Sequence, residues 1–352
     1  MRANWVGIGV LLLGFAAHAS ATSYATIRPA NHELTKQSGL FVAAKHSKYG
    51  FIDKNGKVIV PLQFDDAHIF SEGLAAVCVG GYWGYIDESG TTVIQPRFED
   101  AMNFSEGLAA VLTNDNWGFI SRSGALMILP EDILASSFHD GLAARGEYQS
   151  RGYINTNGQY QIAGRYQQVG QFNEELAEVS NNYKWGYVDT KGHLVIPESF
   201  DMTYGFRDGL AATAINNDHW GFIDHQGNFV IPPQFESEFW FSEDMAAVCM
   251  HGRWGFIDKT GRIVIPLRFN DTTAFSEGFA PVQIGKKWGY IDKQGTVVIA
   301  PAFDNAGEFG DGMAEIELAG KRGYISTSGA YVWRPTKESL SEKRIPLLGT
   351  PA

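Results

Sequence analysis

Six aspartates recur at one register of this chain: Asp53, Asp87, Asp189, Asp224, Asp258 and Asp292. A row of carboxylates is the kind of arrangement that holds Ca²⁺ in some β-helical repeats. Calcium loops, however, gather several carboxylates in one short loop, and each loop here carries one. Asp opening a D-x-x-G segment is the chemistry of a tight turn, with Gly accepting positive φ. A turn role is therefore expected for all six. Ser71-Glu72-Gly73 and its copies set a nucleophile beside an acid. They too read as turns, because enzymes rarely repeat an active site in every unit. The nine His are scattered, with no H-x-x-x-H pair, no Cys/His cluster, no G-x-S-x-G and no P-loop. The expectation is no enzyme activity, no cofactor and no metal.

Aromatic residues are the remaining candidates. Trp83, Trp117, Trp185, Trp220, Trp254 and Trp288 share one register. An exposed stripe would stack on sugar rings, but such regularity favours core. Aromatics outside the template are better ligand contacts: Tyr82, Tyr148, Tyr183, Tyr204 and Trp240. Around residues 120–185 the pattern loosens. Arg145, Glu147, Arg151, Arg165, Glu174, Glu175 and Glu178 put charge where other units are mostly apolar or neutral. A partner or a function can sit there, although simple drift reads the same way.

These residues must be placed by a repeat. One Gly recurs at Gly50, Gly84, Gly118, Gly152, Gly186, Gly221, Gly255, Gly289 and Gly323. The spacing is constant except for the step from Gly186 to Gly221, which is longer by one. A second Gly follows each of these, as Gly56 follows Gly50 and Gly90 follows Gly84. Each linker then carries a Phe at one register, as in Phe70, Phe104 and Phe275, and an Ala soon after it, as in Ala75, Ala109 and Ala280. Helical repeats also have this period, but two or three Gly and a Pro per unit would break paired helices. The short Val- and Ile-rich runs are strands. In one unit Leu74–Val79, Trp83–Asp87 and Thr91–Ile94 read as three strands. Alternation puts Trp83 and Tyr85 on one face, Gly84 and Ile86 on the other. The invariant small residues Ala75 and Gly84 mark a close approach, and the linker Phe is the expected occupant.

The fold expectation is all-β: tandem three-stranded hairpin units in an elongated, twisted superhelical array. The rival is a closed β-propeller-like ring. Propeller blades usually have four strands in a longer unit, so this repeat is short unless the linker supplies a strand. Nine units span about 38–335. Residues 1–21 read as a signal peptide, with Arg2, an apolar run from Val6 to Ala17 and Ala19-Ser20-Ala21 as cleavage site. Residues 22–37 are a lead segment and 336–352 a polar tail.

Trp83-Gly84-Tyr85-Ile86-Asp87, Trp220-Gly221-Phe222-Ile223-Asp224 and Trp288-Gly289-Tyr290-Ile291-Asp292 resemble the WG-containing (KWG) repeats of bacteria. Val230-Ile231-Pro232-Pro233-Gln234-Phe235 and Phe70-Ser71-Glu72-Gly73-Leu74-Ala75 do so as well. Departures are Tyr49, Arg151 and Arg322 at the Trp position, and Ser121 and Asn155 at the Asp position. The resemblance implies an all-β repeat in an exported or surface setting, and no reaction. A looser likeness to cell-wall-binding hairpin repeats suggests glycan or envelope contact.

The net charge is −11 over 352 residues. An acidic chain without basic clusters argues against nucleic acid and anionic membranes as partners. No stretch after the signal is long and apolar enough to cross a bilayer. Cys78 and Cys249 lie five repeats apart at the same position, too far for a disulfide in an extended array. Function is expected to be binding or scaffolding in the periplasm or outside the cell, toward an envelope polymer or a protein. A structural spacer is the alternative, and an envelope hydrolase a more remote one.

Overall fold

The computed structural model describes residues 38–334, apart from positions 46, 148, 217 and 218. The signal peptide, the lead segment, the polar tail and Tyr148 lie outside the described residues.

Each repeat is one antiparallel sheet. In blade 2 a short strand, Asp66–Ala67, is followed by a first strand, Leu74–Val79, a middle strand, Tyr82–Asp87, and a third strand, Thr92–Phe98. They lie side by side in that order. The short strand comes from the linker, which is how so short a repeat makes a four-stranded blade. It spans only Asp66 and Ala67, so periodicity could not reveal it. Among the described residues seven of the nine sheets have four strands. Among the described residues blade 1 has three (Leu40–Lys45, Lys48–Asp53, Val58–Phe64), as does blade 4, where an isolated Ala135–Arg145 bridge stands in.

The nine blades form a closed β-propeller, and the superhelical reading is thereby corrected. Blade 9 (Asn305–Gly310, Met313–Leu318, Lys321–Ser326, Tyr331–Trp333) packs on blade 1. Ala43, Ile52, Met313 and Tyr324 share one buried cluster. The Tyr324 hydroxyl donates to Val42 O at 2.9 Å, and its ring lies 5.7 Å from Phe41. The rotation between neighbouring units, accumulated over nine, brings the ends together, and no local sequence signal encodes that angle.

Alternation assigned the faces correctly. Leu74, Ala76, Cys78, Trp83 and Tyr85 of blade 2 pack on Ala101, Phe104, Ala109, Val111 and Ile120 of blade 3. Ala75, Val77 and Ile86 pack backward on blade 1. Every linker Phe caps the middle-strand aromatic of the preceding blade. Phe70 meets Phe51 at 4.6 Å, Phe104 meets Tyr85 at 4.9 Å, and Phe275 meets Phe256 at 4.7 Å. Such tilted aromatic pairs add roughly 0.5–1.5 kcal/mol beyond area burial.

The expected occupant of Gly84 is corrected. A Cβ there would sit 2.6 Å from Pro96 N, because the third strand of the same blade crosses over it. The pairing shifts between Trp83–Phe98 and Tyr85–Ile94, which is the β-bulge that carries the strand across. Backbone, not the Phe ring, demands the Gly. The Phe sits beside Ala75 instead.

Candidate functional site

The two turns singled out as chemically suggestive lie at the same end of each blade, since Leu74 pairs with Asp87. In the D-x-x-G hairpin, Asp87 Oδ1 accepts from the amides of Ser89 at 3.0 Å and Thr91 at 2.9 Å. These bonds hold the Asp87 carboxyl below the usual range, the Ser89 hydroxyl bond contributing most. The Asp53, Asp189, Asp224 and Asp258 carboxyls are likewise lowered, Asp258 to about 2. The carboxylates cap their own turns, and no group of three possible metal ligands occurs among the described residues.

The Ser-Glu-Gly turns do more than reverse the chain. Their acids adopt positive φ, 52° at Glu72 and 53° at Glu106. Each carboxylate then reaches the turn of the next blade. Glu72 accepts from Gly107 N at 3.0 Å, Glu106 from Gly141 N at 3.0 Å, and Asp140 from Glu175 N at 3.0 Å. Glu174, Asp208, Glu243 and Glu277 repeat the contact with Gly209, Asp244, Gly278 and Gly312. Beneath them the Ser71 and Ser105 hydroxyls donate to Phe104 O and Phe138 O, both at 2.6 Å. The result is a belt of linked turns running from blade to blade. Sequence spacing identified the turns but not the belt, because each partner lies a full repeat further along the chain.

Side chains of the neighbouring D-x-x-G hairpins meet the belt's carboxylates. Lys259 meets Asp244 at 2.9 Å, Lys293 meets Glu243 at 3.0 Å, and His225 meets Glu174 at 3.0 Å. Thr156 and Thr190 occupy the corresponding positions in blades 4 and 5. Here a cavity of about 320 Å³ opens along the belt, lined by Glu72, Ser105, Glu106, His139, Asp140, Phe172, Asn173 and Glu174. Four successive blades contribute to it. It offers carboxylate acceptors, a hydroxyl, an amide, an imidazole and an aromatic ring.

The four described aromatic candidates do not converge on one site. Tyr82 and Tyr183 sit at first–middle hairpins of blades 2 and 5, and Tyr183 is 86 % exposed. Tyr204 stacks on Trp220 at 5.3 Å, and burial raises its phenol to about 12. Trp240 lies under the Arg207 guanidinium at 4.9 Å, beside the belt. The template Trp are core or near it: Trp83, Trp185, Trp220 and Trp288 are buried, Trp117 and Trp254 half-buried. Cys78 and Cys249 are buried in blades 2 and 7. In the irregular region, Arg145 is buried against Asp132 and Glu131, and Arg165 donates to Gly192 O at 2.9 Å. Arg151 Nε and Glu178 Oε2 are buried without a hydrogen-bond partner.

The WG containing repeat model matches residues 49–83, 83–117, 152–185, 185–217, 220–254, 254–288 and 288–321. The chain belongs to the WG-containing repeat family. Its propeller fold is shared by a solved eukaryotic initiation factor, 12% identical, with a TM-score of 0.61, covering 84% of this chain and 95% of that one. BamB from Moraxella catarrhalis is 11% identical over 80% of this WG-repeat chain and 93% of its own, with a TM-score of 0.46. No curated protein is similar to this one in sequence.

Proposed function

We propose that this WG-repeat propeller is a non-catalytic binding ring of the cell envelope, exported by its N-terminal signal. The groove across blades 2–5 is its recognition surface. The observation that carries the reading is that one turn, repeated in four successive blades, lines a single groove with Glu72, Glu106, Asp140 and Glu174. A repeated wall gives repeated contacts, which suits a polymer or an extended protein segment. The acceptor-rich lining favours ligands bearing hydroxyl or amino groups, as a glycan or a basic peptide does.

A glycan array and a peptidoglycan pull-down with the wild-type protein and a Glu106→Gln/Asp140→Asn variant test this. Specific retention that the variant loses supports the groove. Retention unchanged in the variant places recognition elsewhere. Absence of retention on both, together with no captured envelope protein, leaves a structural spacer. Cell fractionation with an antibody to the propeller checks export.

A further inference from the structure

Along the third strand of blade 3 (Leu126–Asp132) and into the linker beyond it, alternate residues face solvent. Met127, Leu129, Glu131 and Ile133 are exposed, while Ile128 is buried and Pro130 and Asp132 are half-buried. The same row leaving blade 1 reads Ile59, Pro61, Gln63 and Asp65. In blades 1, 2 and 4 to 8 the place of Leu129 is taken by Pro, Gln or Ala, and that of Ile133 by an acid or an amide. Blade 3 thus sets three large apolar side chains in a row where those blades have one at most. Met127 is 57 % exposed and Leu129 and Ile133 are each 61 % exposed. Among the described residues only Tyr183 is a more exposed large hydrophobic.

The acid or amide has a task that Ile133 cannot perform. Asp65 accepts from Gly80 N at 2.7 Å, Glu99 from Asn114 N at 2.8 Å and Asn270 from Gly285 N at 2.9 Å, each holding the first–middle hairpin of its blade. Ile133 has no acceptor to offer. The core beneath is inverted as well. Phe64 shares a buried cluster with Val77, and Phe98 with Val111. Asp132 and Arg145 stand at those two positions and form an ion pair, the Arg145 side chain being buried. Its Nη2 also donates to Leu129 O at 3.4 Å and to Glu131 at 3.3 Å. Charge lies inside and apolar surface outside, and one guanidinium fixes the segment that presents it. Exposed apolar surface in place of a capping acid stabilises nothing in the isolated ring; a contiguous row of it marks an interaction site.

We propose that Met127, Leu129, Glu131 and Ile133 form a docking strip for an extended segment of a partner protein, which sets apolar residues against Leu129 and Ile133 and a Lys or Arg against Glu131. The strip shares no residue with the acidic groove. The alternate spacing of its side chains matches an extended chain, and the Arg145 contacts hold it ready, so little ordering opposes binding.

Local charge selects a basic partner. Arg145 answers both Asp132 and Glu131, and the Glu131 side chain remains 65 % exposed. Burial raises the Tyr160 phenol, and the carboxylates of Asp132, Glu131 and Glu147 add to that against Arg145. The field beside the strip is therefore negative. A second copy fits poorly, because its own strip offers Glu131 no cation and two chains of net charge −11 repel.

Fluorescence anisotropy tests the strip with a labelled peptide, Val-Ser-Val-Ser-Lys-Ser-Val-Ser-Val, whose valines and lysine share one face in either direction. Versions with Glu or Ser in place of Lys are compared with it. The full chain is used as wild type, Leu129→Gln, Ile133→Asp, Glu131→Lys and Glu106→Gln/Asp140→Asn. Leu129→Gln and Ile133→Asp install the residue types of Gln95 and Asp65, so these variants keep the fold, which a thermal melt checks. The wild type is expected to bind the Lys peptide best. Leu129→Gln and Ile133→Asp each weaken that binding at least tenfold, Glu131→Lys turns the preference to the Glu peptide, and the groove variant binds as the wild type does. The proposal is overturned if the wild type binds none of the peptides or all three alike, if Ile133→Asp binds unchanged, or if the groove variant loses binding. It is also overturned if light scattering shows a wild-type dimer that Ile133→Asp dissolves, since the occupant is then a second copy.

Discussion

Glu178 occupies the space that Gly170 leaves empty: a Cβ on Gly170 would overlap the Glu178 carboxyl. The same residue types recur at these positions in blade 9, where a Cβ on Gly307 would lie 3.4 Å from Glu315 O. At four other copies of these two positions the larger residue is on the linker: His68 with Ala76, Met102 with Ala110, Tyr204 with Ala212 and Phe239 with Ala247. A large residue at one of the two positions goes with a small one at the other, because a packed interior does not tolerate an overlap.

Gly170→Tyr is expected to destabilise the protein by about 1–3 kcal/mol, the usual cost of overpacking. Adding Glu178→Ala should recover most of that loss by restoring the pattern of blade 6. Thermal or denaturant melts of both variants read this out. A double variant no more stable than Gly170→Tyr would refute the exchange.

Glu238 gives a pH dependence. The residue is 8 % exposed, one carboxyl oxygen has no hydrogen-bond partner, and burial raises its pKa to about 8. The folded state therefore holds this proton more tightly than the unfolded chain, whose reference is 4.5. Stability contributed by the neutral acid is complete below about 4.5 and declines as pH rises through 8. At about 1.36 kcal/mol per pKa unit the loss is at most about 5 kcal/mol. Glu178, raised to about 7 by burial, adds in the same direction. Glu238→Gln should flatten the fall between pH 5 and 8. Equal slopes for both proteins would contradict the assignment.

Phe275→Ala removes a side chain with 0 % exposure that packs on Phe256. The expected loss is about 3–5 kcal/mol. Urea unfolding monitored by tryptophan fluorescence measures it, and a neutral variant would show that the blade interface does not depend on the linker ring.

Gly84→Ala tests the crossing strand. The new methyl would meet backbone at 2.6 Å, which no side-chain rotation relieves. It should cost more than Gly107→Ser, where nothing lies within 4 Å of the added Cβ and the strain is that of φ 80° alone. Melting temperatures in the reverse order would mean that the third strand yields.

The sequence by itself determined the unit. Period, strand faces, D-x-x-G turns and the family were all legible, because each is set by residues close in the chain, as Asp87 is to Thr91 and Trp83 to Tyr85. The described candidate ligand aromatics, by contrast, are scattered over separate blades. What only the tertiary structure decided is longer in range. Ring closure depends on an angle between blades that is added nine times, and it is sealed by Phe41 and Tyr324, far apart in the chain. The fourth strand of a blade is as brief as Asp66–Ala67, too short to show a period. The acidic belt and its groove arise because Glu72 caps the turn of the next blade rather than its own, so local turn chemistry identified Glu72 correctly and still could not show what its carboxylate holds.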